Sequence, residues 1–166
     1  MGYFDAKDFS SAEVRRNRRY FISGSYVVEL MTMFMAGKQS SGYTWVTEWK
    51  VLESTNPSLP AGTQGVSHSS PMHWKTANAT IRSCLAALLD VPYDDITPEM
   101  AESAVAVKTD EKGAPIEDEY GRSVPVDKLA GLRCRVWVDE RKTEKIESGK
   151  IVSSTFTDHT YSPYKT

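Results

Sequence analysis

Leu132-Arg133-Cys134-Arg135-Val136-Trp137-Val138 alternates strictly, which predicts a strand with Leu132, Cys134, Val136 and Val138 turned inward. Arg133, Arg135 and Trp137 then share the opposite face. A flat ring beside two guanidinium groups suits single-stranded nucleic acid, where cations track the backbone and bases stack on aromatic rings. The alternative is a Trp137 packed beneath the acidic stretch, with the arginines paired to that stretch. A solvent-facing tryptophan between two cations is nevertheless the combination that marks a binding surface.

Further candidates surround this strand. Arg141, Lys142, Lys145 and Lys150 alternate with Glu140, Glu144 and Glu147 in a predicted charged loop over 140–149, which reads equally well as a solvated hairpin. Tyr43, beside Lys38, is a candidate stacking platform at the start of a strand. Trp45 shares that face but also fits a core position, as do Trp49 and Val51. Arg15, Arg16, Arg18 and Arg19 form a basic knot that can clamp phosphates or simply line a solvated helix face.

Other chemistries find little support. His68, His73 and His159 lack the close paired spacing of a structural zinc site, so no metal or other cofactor is expected. Cys84 falls on the apolar side of a predicted helix, where thiols are inert. No phosphate-cradling glycine loop and no hydrolase motif occurs, and an enzyme is unsupported.

The elements that must position these residues are legible in outline. Tyr26 to Met35 and Tyr43 to Leu52 flank the turn Gly37–Gly42 and predict a hairpin. Thr63 to Ser69 is a weak third strand. Ala77, Ile81, Cys84, Leu85 and Leu88 recur at helical spacing within a helix predicted over 74–90, which Pro92 closes. Thr97-Pro98-Glu99 opens a short second helix. An exposed acidic loop follows over 108–127, then the strand of Trp137 and a last strand from Ile151 to Asp158. A helix over 10–19 is the expectation for the start of the chain.

This order predicts a mainly β domain: an OB-fold-like five-stranded Greek-key barrel with a helix between its third and fourth strands. The expected layout is a basic arm over 1–22, the barrel over 23–160 with an acidic insertion at 91–128, and a polar tail over 161–166. Its 166 residues are enough for one such domain. At net charge −2, a cationic surface must come from local segregation of charge. Two isolated cysteines, no signal-peptide pattern and no apolar run of membrane length predict a soluble protein of a reducing cytoplasm.

Several blocks strengthen the functional expectation. Arg19-Tyr20-Phe21-Ile22-Ser23-Gly24-Ser25-Tyr26, the run Gly42 to Ser54 and Pro60-Ala61-Gly62-Thr63 resemble the opening of small bacteriophage single-stranded-DNA-binding proteins. Gly131-Leu132-Arg133-Cys134-Arg135-Val136, with Ser148-Gly149-Lys150, is similar to their closing hairpin. The resemblance covers about 19–90 and 129–160 and implies sequence-tolerant binding of single-stranded DNA. It also implies a place in phage replication or recombination in the host bacterial cytoplasm, with replication proteins as possible partners. Tyr161-Ser162-Pro163-Tyr164-Lys165-Thr166 departs from the acidic tail by which many such proteins recruit those partners. A protein-interaction domain of a virion or accessory factor, or a metal-dependent nuclease using the acidic insertion, are the alternatives.

Overall fold

A computed structural model describes residues 19–165. The expected helix over 10–19 and the arginines Arg15, Arg16 and Arg18 lie outside the described residues, except that Arg19 itself is in a strand. In chain order the elements are β1 (Arg19–Tyr20), β2 (Gly24–Lys38), β3 (Gly42–Ser54), β4 (Gln64–Pro71), α1 (Ala77–Leu89), α2 (Pro98–Ala104), β5 (Arg133–Glu147) and β6 (Lys150–Pro163). A single 3-10 turn, Tyr93–Asp95, joins the two helices.

The strands form one six-stranded sheet in the order β1-β4-β3-β2-β5-β6, curled into a half-barrel. Every pairing is antiparallel except that of β1 with β4. Register shifts at Val27/Val28 and Leu30/Thr32 interrupt the pairing of β2 with β3. Such irregularities bend a strand and raise its local twist, which favours curling over a flat sheet.

The core lies against the inner face of the sheet. Tyr26, Val28, Trp45, Trp49, Val51, Val66, Val136 and Val138 point into it, joined by Cys84 and Leu85 of α1. α1 packs on β5 and β6, as its apolar spacing requires. It ends at Asp90, whose left-handed backbone turns the following Val91 N–H back to donate to the Ala86 carbonyl at 3.1 Å, just before Pro92. The threonine cap is realised as well, since the Met100 N–H donates to Thr97 Oγ1 at 3.3 Å to start α2.

Several boundaries depart from expectation. The two-residue β1 adds a sixth strand, and Phe21 beside it is buried, so the folded unit begins at Arg19 or earlier. α1 starts at Ala77 and leaves Trp74 exposed. Leu132 is exposed as well, because it precedes β5 and falls outside the alternation. The acidic loop has its own order. Asp110 accepts the N–H groups of Lys112 and Ala114, and Asp118 accepts those of Tyr120 and Arg122. The two turns are spaced by an eight-residue repeat, Asp110-Glu111-Lys112-Gly113 and Asp118-Glu119-Tyr120-Gly121. Those backbone hydrogen bonds hold the Asp118 carboxyl below its ordinary pKa.

The largest departure is at the end of the chain. The predicted loop over 140–149 is strand almost throughout: β5 runs to Glu147, and only Ser148-Gly149 turns, both at positive φ. That is the backbone a two-residue hairpin turn needs to match the twist of its strands. The expected tail is strand too, for β6 runs to Pro163 and brings Tyr161 onto the core.

Candidate nucleic-acid interface

β5 has two parts. From Cys134 to Val138 it pairs with β2 on one side and β6 on the other, and Arg133 pairs with β2. From Asp139 to Glu147 its sole strand partner among the described residues is β6, over Asp158 to Lys150. At about 3.3 Å per residue, this two-stranded arm reaches roughly 26 Å beyond the body of the sheet.

The strict alternation of β5 decides which side chains face outward. Cys134, Val136 and Val138 are buried, and burial pushes the Cys134 thiol up to about 12. Arg133, Arg135 and Trp137 emerge on the other face, with Trp137 51% exposed. That exposure rules out a Trp137 packed beneath the acidic insertion. Residues directly opposite in an antiparallel pair share a face. The outer face therefore continues along the arm through Arg141, opposite Phe156, then Lys145, opposite Val152, and finally Lys150. Cations and rings interleave: the Arg141 guanidinium carbon lies 5.8 Å from the Phe156 ring centroid, and that of Arg135 lies 5.7 Å from Tyr164.

Acids on this face offset much of the charge: Asp139 and Asp158 stand opposite each other, and Glu147 stands opposite Lys150. Arg133 Nε lies 3.6 Å from Glu29 Oε1, and Arg141 Nε lies 3.5 Å from Asp158 Oδ2. Both pairs are substantially exposed, and such pairs contribute little, so either arginine can exchange its carboxylate for a phosphate at small cost.

The other expected residues separate. Lys142, with Glu140 and Glu144, is on the opposite face of the arm from Trp137. Lys38 and Tyr43 sit at the β2–β3 turn, beyond the end of β2 remote from the arm. That turn depends on Gly37, at φ +97, where a Cβ would collide with the Gly42 carbonyl oxygen. Tyr43 is 44% exposed but has the parity of the inner face, whereas Trp137 has that of the outer face. It borders a groove of about 810 Å³, whose lining includes Met35, Trp45, Ile81, Arg82 and Val105. Trp45 is excluded as a stacking platform. It is fully buried, edge-on to His68 with ring centroids 5.7 Å apart. Inward parity at a central strand position placed it in the core.

Phe156 and Tyr164 are the residues that sequence reasoning missed. Phe156 becomes part of the face only through the register that sets it against Arg141, and Tyr164 only because β6 continues beyond Asp158.

A second aromatic group occupies the seam between β4 and β6. His68 and His159 stack at 3.8 Å between centroids, and His68 Nδ1 is hydrogen-bonded to the Tyr161 hydroxyl at 2.9 Å. Phe21 meets His159 edge-on. Burial holds His68 down to about 4 and His159 down to about 3, with the charge of His68 a further cause for His159. Both ring nitrogens of His159 are buried without a hydrogen-bond partner, which favours the neutral ring.

Among the described residues, no group of three or more His, Cys, Asp or Glu side chains could hold a metal ion, and no helix is long and apolar enough to cross a membrane. No protein-family model matches the sequence, and no curated protein is found to be similar to it.

Proposed function

We propose that this protein is an OB-type domain that binds single-stranded DNA without sequence preference. The observation that carries the reading is the outer face of β5 and β6, where exposed Trp137 and Phe156 alternate with Arg133, Arg135, Arg141, Lys145 and Lys150. Rings supply stacking that every base accepts, and cations supply attraction to every phosphate.

The topology supports the OB assignment. Apart from β1, the order β4-β3-β2-β5-β6 is that of a five-stranded Greek-key barrel left partly open, with its helix between the third and fourth strands. The open side is the seam between β4 and β6, bridged by the stacked histidines. A role in phage replication or recombination, in the host cytoplasm and beside replication proteins, rests on the sequence resemblance alone.

Titration of labelled oligo-dT over a salt series tests the reading. The expected result is a complex that quenches tryptophan fluorescence and weakens linearly in log–log form, with a slope of about −0.7 per phosphate contacted. Absence of any complex at low salt and micromolar protein would overturn it. One observation favours a protein-interaction domain instead, namely the largely apolar groove bordered by Tyr43. A folded protein that ignores DNA yet captures a protein partner, and loses it on a groove substitution such as Val105→Glu, would establish that alternative.

A further inference from the structure

The outer edge of β6 is long, and among the described residues no strand pairs with it. Edge strands are ordinarily blunted by charge, proline, bulges or brevity. Ile151-Val152-Ser153-Ser154-Thr155-Phe156-Thr157 has none of these defences: seven residues without charge, proline or glycine, rich in β-branched side chains. It belongs to the arm, whose other strand also lacks a second neighbour among the described residues. A two-stranded ribbon is marginal in water, and a third strand or a packed face is what stabilises one. Val152 and Phe156 are exposed on this ribbon, and Ile151 is 71% exposed.

We propose that this edge pairs with the same edge of a second copy, antiparallel about a two-fold axis through Ser154. A continuous sheet requires opposed residues to share a face, so the axis must pass through a residue and not between two. Centring on Ser154 sets Val152 against the partner copy's Phe156, Ile151 against Thr157 and Ser153 against Thr155. It also sets Lys150 against Asp158 at both ends, closing the uncharged run with opposite charges. Centring on Ser153 would oppose Lys150 to Phe156, and centring on Thr155 would oppose Val152 to Asp158. Apolar pairing and charge pairing thus select the same register. Each contact occurs twice by symmetry, as an isologous interface requires. The joined arms become a four-stranded sheet with both Trp137 faces on one side.

Cysteine crosslinking tests the register directly. Opposed Cα atoms in an antiparallel pair lie about 4.5–5.5 Å apart, within the range a disulfide spans. Ser154→Cys is expected to form a disulfide-linked dimer under mild oxidation, since the native Cys84 and Cys134 are buried. Thr157→Cys is the control, because its two copies would stand about 20 Å apart. Sedimentation of the wild-type chain should give twice 18.5 kDa at tens of micromolar. Val152→Lys, at an exposed position, should give the monomer mass with the far-UV circular dichroism spectrum of the wild type and a lower melting temperature, since the partner strand is lost. A monomeric wild type, a dimer that Val152→Lys leaves intact, or crosslinking at Ser154→Cys no faster than at Thr157→Cys would each overturn the proposal. Preferential crosslinking of Ser153→Cys or Thr155→Cys would overturn the register. None of these measurements involves DNA, so their failure is separate from failure of the binding reading.

Discussion

The two aromatic groups of this domain use similar rings to opposite ends. At the seam, His68, His159 and Tyr161 are packed against Phe21 and Trp45, and burial suppresses charge there. On the outer face of β5 and β6, Trp137 and Phe156 are exposed and Tyr164 partly so, among arginines and lysines. His159 and Thr160, the cross-strand partner of Trp137, are adjacent in β6 and face opposite ways. Strand parity separates a ring that stabilises the fold from a ring free to meet a ligand.

The comparison breaks hardest in acid. The folded-state pKa values of His68 and His159 lie below the ordinary 6.5. Their contribution is therefore complete above pH 6.5 and is lost as pH falls toward 4, where the unfolded chain takes up protons that the folded one refuses. A loss of about 3 kcal/mol for each histidine, roughly 6 kcal/mol together, is expected between pH 6.5 and 4. His159→Phe, which removes two orphaned nitrogens, should flatten the slope, and an unchanged slope would exonerate the seam. Trp45 comes next. Removing that fully buried indole by Trp45→Ala should cost about 3–5 kcal/mol of stability, read from the urea midpoint. Trp137→Ala should move the same midpoint by less than about 0.5 kcal/mol.

On the outer face, Trp137→Ala should weaken oligo-dT binding by about 1–3 kcal/mol, roughly 5- to 150-fold, with the fold intact. The smallest effect sharpens the comparison most. Lys145→Ala should reduce the salt slope by about 0.7, whereas Lys142→Ala, on the opposite face of the ribbon, should leave it unchanged. Equal slopes for the two variants would mean that the arm binds without regard to face.

Much of this was readable before any coordinates. The hairpin of β2 and β3, the helix α1, the Thr97 cap and the outward set Arg133, Arg135 and Trp137 follow from period and local chemistry. The arm did not, because apolar alternation reports a strand only where one face is buried. From Asp139 to Glu147 both faces meet solvent, so the charges read as a loop. Tyr43 and Trp45 show a different limit. Alternation put them on one face, but depth along the strand made one a core residue and the other the rim of a groove.

By itself, then, the sequence determined which residues alternate, where α1 stops and α2 begins, and which three side chains of β5 turn away from the core. These depend on neighbours a few positions apart. Only the tertiary structure decided that Phe156 stands against Arg141, that Lys142 leaves the face of Lys145, and that His68 meets His159 across the seam. Those outcomes depend on strand register and sheet closure, which are set by packing between segments far apart in the chain.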